Sequence, residues 1–95
     1  MEKAKEIAKV LVEKKLAACC NILPGLISIY RWEDKVAEDN ELLMIIKTSE
    51  QNLEELEELI NDLHPYDVPE IISYKLNSSS KPYLDWLSES VGFNG

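Results

Sequence analysis

The chain is poor in the residues that build most catalytic and metal centres. Its 95 residues include one histidine, two cysteines and three glycines. One imidazole and two thiols cannot supply the four ligands of a closed structural zinc site. Two of the glycines, Gly92 and Gly95, lie in the last four residues, which excludes a glycine-rich phosphate loop. No complete set of nucleophile, base and orienting group can be assembled, so we predict that the protein is not an enzyme.

Long apolar runs and an excess of basic residues are also absent. No apolar stretch approaches the roughly 20 residues that span a bilayer, and the start "MEKAKEIAKV" lacks the apolar core of a secretory signal. Ten basic and 18 acidic residues give a net charge of −8, which repels nucleic-acid phosphates. The cysteines, Cys19 and Cys20, are adjacent, which suits free thiols in a reducing compartment. We predict a cytoplasmic protein with no nucleic-acid or membrane partner.

The apolar pattern predicts one α+β domain over residues 1–95. Helical periodicity marks "EKAKEIAKVLVEKKLAA", "NLEELEELINDL" and "YLDWLSESV". Between the first two helices, "CCNIL" and "LISIYRWEDKV" are strand-like, with a turn or bulge at Pro24-Gly25. The segment "AEDN" is the predicted turn into "ELLMIIKTS", an apolar run typical of a strand buried on both faces. A third strand is predicted over Glu70–Leu76, giving an antiparallel sheet with helices on one face.

The aromatic residues of the hairpin indicate an interface. Tyr30 and Trp32 fall on one face of their strand, and Arg31 falls on the other. Exposed aromatic residues anchor subunit contacts, whereas buried ones belong to the core. Because a chain of this length builds only a thin core, we favour the subunit interface.

The two cysteines and His64 are the candidate metal ligands. Adjacent strand residues point to opposite faces of the sheet, so Cys19 and Cys20 do not readily coordinate the same ion. One of these thiols with His64 would make a partial soft site for copper or zinc, completed by Asp67, Glu70, water or another subunit. The alternatives stay open: buried cysteine acts as a small hydrophobe, and a histidine at a helix C-terminus is stabilised by the dipole.

Four blocks of the sequence together resemble the CutA family of divalent-cation tolerance proteins: "LVEKKLAACCNILPGLISIYRWEDKV", "ELLMIIKT", "HPYDVPEII" and "YLDWL". The resemblance covers nearly the whole chain. It implies a ferredoxin-like sheet and a homotrimer similar to PII signalling proteins, with the hairpin as the trimerising element. Cys19 and His64 then match the family's proposed metal ligands. The positions that could line a cleft between subunits are Trp32, Lys47, Tyr66 and Glu70.

The chain departs from the family pattern at its start. The family begins with a strand before the helix that here begins at Glu2, and we expect that strand to be missing. In a ferredoxin-like sheet the first strand lies centrally, so its loss would cost about 1–3 kcal/mol for each orphaned buried group. We expect a shortened gene product, or a neighbouring segment that fills the gap. Direct pairing of "ELLMIIKT" with "EIISYKL" would contradict this expectation.

The resemblance implies tolerance of copper and other divalent metals. The trimer would bind Cu or Zn weakly at its intersubunit clefts, as a buffer or sensor that requires no cofactor. Two alternatives remain. A PII-like trimer could bind a small anion or metabolite through Lys47 and His64, or the protein could be an interaction scaffold with only indirect effects on metal tolerance.

Overall fold

The computed structural model describes residues 1–63, 71–75 and 79–91. Within these residues the chain forms an α+β fold, as predicted, with a two-stranded antiparallel sheet. The ferredoxin-like sheet and the trimer remain predictions. The elements are helix α1 (Glu2–Glu13), strand β1 (Cys19–Trp32), strand β2 (Lys35–Lys47), a 3-10 turn (Glu50–Asn52), helix α2 (Leu53–Leu63) and helix α3 (Lys81–Ser90).

The core forms where the apolar stripes of α1 and α2 meet the sheet. Residues four apart on a helix share a face, and Ile7 and Leu11 of α1 and Leu56 and Ile60 of α2 are spaced in this way. Their side chains form one buried cluster, against which Ile46 of β2 packs. Helices α1 and α2 therefore lie on one face of the sheet, as the sequence pattern predicts. The cluster consists of Ile7, Leu11, Leu16, Ala17, Leu56 and Ile60.

A bulge interrupts β1 at the predicted position without ending the strand. The pairing register shifts between Leu23 and Leu26, so Pro24 and Gly25 together oppose a single residue of β2. Gly25 has φ +79°, a conformation that costs glycine nothing and other residues about 1–2 kcal/mol. The backbone conformation at Gly25 therefore explains the bulge.

The hairpin turn lies earlier than predicted. It is formed by Glu33 and Asp34, with φ 49° and 63°, between the paired residues Trp32 and Lys35. A two-residue loop with positive φ at both positions matches the twist of the flanking strands. The predicted turn "AEDN", residues 37–40, lies inside β2 instead. The acidic composition suggested a turn there, but cross-strand pairing holds these residues in the strand.

The third strand predicted over Glu70–Leu76 is not formed in its described part. Residues 71–75 have no regular secondary structure, and within the described ranges β2 pairs with β1 alone. A strand persists when a neighbour supplies ladder hydrogen bonds, and here no described segment supplies them. "ELLMIIKT" and the described part of "EIISYKL" are therefore not paired as neighbours.

We expect Leu11→Ala to lower the free energy of unfolding by about 2–5 kcal/mol, because the side chain is 0% exposed and leaves a cavity. The neighbouring change Val12→Ala is the matched control. Val12 is 43% exposed, and its loss should change stability by no more than about 0.5 kcal/mol. Urea unfolding followed by circular dichroism, at one fixed protein concentration, measures both values. Equal losses would contradict this assignment of the buried helix face.

Cys20 also packs against the core cluster. Burial, with a smaller contribution from neighbouring Cys19, raises the pKa of Cys20 from its ordinary 9.0 to about 11. Because the folded state holds this proton more tightly than the unfolded state, its contribution to stability is full below pH 9 and is lost as the pH rises to 11.

We expect iodoacetamide to alkylate Cys20 about 100-fold more slowly at pH 8 than an ordinary thiol, because the thiolate is the reactive form. Mass spectrometry of Cys19→Ser, in which Cys20 is the remaining thiol, measures this rate in native protein and in urea. The native rate should keep rising beyond pH 9, towards pH 11. A plateau near pH 9, or equal native and unfolded rates, would contradict the burial of Cys20.

Candidate functional site

Cys19 lies on the face of the sheet that points away from the core. It is paired with Lys47 across the hairpin, and directly paired residues present their side chains on the same face. Because Cys20 packs against the core cluster, alternation along the strand directs Cys19 to the opposite face, as predicted. Cys19 is half-buried, its Sγ lies 3.8 Å from Asn21 Oδ1, and both cysteines are free thiols.

Helix α3 contributes an aromatic residue next to Lys47. Lys47 Nζ lies 5.6 Å from the centroid of the Tyr83 ring, within the range of a cation–π contact. Tyr83 in turn contacts Trp86, with ring centroids 5.5 Å apart. We call Cys19, Lys47 and Tyr83 the hairpin base. Tyr83 was not predicted as a site residue, and the closely spaced aromatics of "YLDW" were the signal that could have found it.

Hydrogen bonds from the core hold the hairpin base in place. The Ala18 N–H donates to the carbonyl oxygen of Lys47 at 2.8 Å. The Thr48 hydroxyl donates to the carbonyl oxygen of Leu16 at 2.5 Å. Leu16 belongs to the buried cluster, so both strand ends at the base are fixed relative to the core. Thiol and ammonium groups are thus presented from ordered backbone.

The structure does not bring Trp32 to the hairpin base. Cys19 and Trp32 are the first and last residues of a 14-residue strand. At about 3.3 Å per residue, their separation is on the order of 40 Å. Within one chain Trp32 therefore cannot line a site with Cys19 and Lys47.

The other predicted site residues lie outside the described residues: His64, Tyr66 and Glu70, together with Asp67. Within residues 1–63, 71–75 and 79–91, no group of three or more His, Cys, Asp or Glu side chains could hold a metal ion. The described part of the hairpin base therefore offers one soft donor, the Cys19 thiol, and one cation, Lys47.

The outer part of the hairpin, residues 26–41, extends beyond the core and exposes large apolar side chains. Trp32 is 65% exposed and Val36 is 76% exposed, and Ile27 and Ile29 are also exposed. Monomeric proteins rarely expose apolar patches larger than a few hundred Å². Trp32 lies on one face of the hairpin, and Ile27, Ile29 and Val36 lie on the other. We call residues 26–41 the outer hairpin.

Two hydroxyl–carboxylate pairs cross the outer hairpin on the face that carries Tyr30 and Trp32. The Ser28 hydroxyl donates to the Glu41 carboxylate at 2.8 Å, and the Tyr30 hydroxyl donates to the Asp39 carboxylate. The bond to Asp39 is the main reason why the pKa of Tyr30 is raised. Asp39 and Glu41 thus each have a hydroxyl donor within the hairpin.

An open groove of about 320 Å³ runs along α1, lined by Ala8, Lys9, Val12, Glu13 and Cys20. Because Cys20 lines this groove, the groove lies on the helix side of the sheet. The hairpin base lies on the other side, so the two are separate. The Cys20 thiol is held protonated by burial, which makes it a poor metal ligand.

The family described as CutA1 divalent ion tolerance protein matches residues 1–90. The divalent-cation tolerance protein CutA of Thermus thermophilus is 52% identical over 91 residues, which cover 96% of this chain and 88% of the relative. The chloroplastic protein CutA of Arabidopsis thaliana is 49% identical, with 95% of this chain and 50% of the relative covered. Protein CutA of Mus musculus is 45% identical, and the match covers 97% of this chain and 54% of the relative. The chain thus spans about half the length of the plant and mouse relatives.

Solved structures agree with the sequence relatives. The Thermus thermophilus CutA1 structure has a TM-score of 0.91 at 52% identity, covering 96% of this chain and 88% of its own. The Oryza sativa CutA1 structure has a TM-score of 0.92 at 44% identity, and the match covers 97% of this chain and 84% of that structure's chain.

The compartments named for the relatives differ. The Arabidopsis protein is named chloroplastic. An Archaeoglobus fulgidus structure is named periplasmic; it is 39% identical with a TM-score of 0.91, and the match covers 97% of this chain and 89% of that one.

In this chain, none of the described helices is both long and apolar enough to traverse a bilayer. The Thermus relative is named as a divalent-cation tolerance protein, and the plant and mouse relatives are named as protein CutA. With matches of this identity across nearly its whole length, the chain belongs to the CutA family of divalent-cation tolerance proteins.

Proposed function

We propose that this protein is a homotrimeric metal-tolerance protein of the cytoplasm that binds copper or zinc weakly at clefts between subunits. It acts as a buffer or sensor of the ion and not as an enzyme, with Cys19 and His64 as ligands. Relatives named for divalent-cation tolerance support the metal class. The observation that carries the binding site is the outward position of Cys19 at the hairpin base, opposite the core-facing Cys20.

The donor chemistry favours soft metal ions. Thiolate and imidazole ligands select copper and zinc over magnesium and calcium. The described residues bring no three donors together, so a single chain would bind weakly. We propose that His64 and a neighbouring copy, or water, complete the coordination. Because a thiol must lose its proton to bind a metal, affinity should increase with pH.

The outer hairpin supports assembly into a ring. Its exposed apolar side chains need a partner, and its length carries Trp32 far from the hairpin base of its own chain. In a cyclic trimer each copy contacts the next head to tail, and the three contacts close into a ring. The outer hairpin of one copy would then lie against the neighbouring copy. We propose that the cleft formed in this way is lined by Trp32, Lys47, Tyr66 and Glu70.

We expect calorimetric titration of the full chain with Zn(II) and Cu(II) to show about one ion per chain. Cys19→Ser and His64→Ala should each weaken binding at least tenfold, with the mass of the assembly unchanged by light scattering. Because Cu(II) oxidises thiols, the free thiols are counted after each Cu(II) titration.

Cys20→Ala is the control for this titration, since it removes the neighbouring thiol from the core and not from the hairpin base. Retained binding in Cys20→Ala and lost binding in Cys19→Ser would support the site. Undiminished binding in Cys19→Ser, or none in the parent, would contradict it.

The outward Lys47 ammonium favours the anion-binding alternative. A titration with inorganic phosphate, in the parent and in Lys47→Met, tests it. Phosphate binding that Lys47→Met abolishes, in a protein that does not bind metal, would favour the PII-like anion-binding trimer.

We expect the double variant Ile29→Lys, Trp32→Lys to sediment as a monomer, because each change places an ammonium group in the proposed apolar contact. The parent should sediment as a trimer. Val12→Lys makes the same kind of change on the exposed side of α1 and should leave the mass unaltered. Circular dichroism checks that each variant is folded. A monomeric parent, or a trimeric double variant, would contradict the role of the outer hairpin.

A further inference from the structure

Lys47 is a half-buried cation without a counter-ion among the described residues. Of the ten basic residues of the chain, Lys47 alone is half-buried, and the other nine are exposed. Four exposed lysines pair with carboxylates, whereas no ion pair or hydrogen bond in the described part of the chain uses the Lys47 ammonium group. Removing a charge from water costs free energy unless a partner compensates for the lost hydration.

The acidic residues near Lys47 along the chain and on α3 are engaged elsewhere. Glu50, three residues beyond Lys47, lies 3.6 Å from the ammonium group of Lys75. On α3, Asp85 lies 3.1 Å from the ammonium group of Lys81. The Lys47 ammonium group is therefore available to an anion from solution.

Helix α3 places two aromatic rings beside this ammonium group. Lys47 Nζ lies 5.6 Å from the centroid of the Tyr83 ring, near the outer limit of about 6 Å for a cation–π contact. The ring of Trp86 lies 5.5 Å from that of Tyr83, and Trp86 is 45% exposed. Ile45, two residues from Lys47 on the same face of β2, is 44% exposed. Apolar surface that a ligand can cover thus lies next to the cation.

We propose that the hairpin base binds a small aromatic monocarboxylate. The carboxylate pairs with the Lys47 ammonium group, and the ring of the ligand stacks on Trp86. This inference rests on the anion-binding alternative given above, from which it takes Lys47, and it names the class of anion. It requires no metal ion.

Charge and shape favour this class of ligand over an inorganic anion. The net charge of −8 opposes a multiply charged anion more strongly than a singly charged one. One ammonium group pairs with one carboxylate in a charge-assisted hydrogen bond. An aromatic ring removes apolar surface of Trp86 from water and adds an offset-stacked contact, which a saturated ring of the same size does not make.

The test is an NMR chemical-shift titration of the metal-free full chain with benzoate. We expect the largest shifts at Lys47, Tyr83 and Trp86. Cyclohexanecarboxylate keeps the charge but lacks the aromatic ring, and it should bind about fivefold more weakly than benzoate. Benzamide keeps the ring but lacks the charge, and it should bind about tenfold more weakly.

Variants of the protein assign the two contacts. Lys47→Met should weaken benzoate binding about tenfold, whereas Lys35→Met, the same change at the exposed start of β2, should leave it unchanged. Trp86→Leu should abolish the preference for benzoate over cyclohexanecarboxylate. Trp86→Tyr restores an aromatic ring and should retain that preference. Circular dichroism checks that each variant is folded.

Two further titrations separate this inference from the functions proposed above. Cys19→Ser removes a proposed metal ligand but neither the ammonium group nor the rings, so benzoate affinity should be unchanged while Zn(II) binding is lost. Inorganic phosphate, titrated in the same way, should bind more weakly than benzoate. Phosphate binding without benzoate binding would refute the aromatic ligand class and leave the anion-binding alternative standing. Binding of neither anion would refute both.

Two other results would overturn the proposal. Equal affinities for benzoate and cyclohexanecarboxylate would show a charged site with no aromatic preference. Benzoate binding that Lys47→Met leaves unchanged, or shifts confined to residues outside the hairpin base and α3, would show that the ligand binds elsewhere.

Discussion

The rest of the structure depends on the packing of two helical stripes against the inner part of the hairpin. Leu11 of α1 and Leu56 of α2 lie in one cluster with Ile46 of β2 packed against it. This contact removes apolar surface from water, the dominant favourable term in folding. It covers only the base of a hairpin with strands of 14 and 13 residues. Among the described residues, the large apolar side chains of the outer hairpin are therefore left exposed.

Because side chains alternate between the two faces of a strand, this packing also sets which way the site residues point. Once Cys20 packs against the core, Cys19 and its cross-strand partner Lys47 are directed to the opposite face. A shift of one residue in register would exchange the two thiols between core and surface. The bulge at Gly25 and the two-residue turn at Glu33–Asp34 hold the register. Backbone geometry thus decides which of the two cysteines faces away from the core.

The site could be predicted only in part. The opposite facing of Cys19 and Cys20 follows from the two-residue period of a strand, and the structure agrees with it. The contact of Lys47 with Tyr83 did not follow from any local pattern, because it joins residues of β2 and α3 that are far apart in the chain. Trp32 matched a family position, but one chain holds it on the order of 40 Å from Cys19.

Helices α1 and α2 and the interruption of the first strand at Pro24-Gly25 follow from the sequence, because helical period and glycine φ are local properties. The position of the turn, at Glu33–Asp34 rather than at residues 37–40, depends on how the two strands pair. The absence of a ladder at residues 71–75 also depends on tertiary pairing. Both outcomes depend on which distant backbone supplies the hydrogen bonds, and no local pattern specifies that partner.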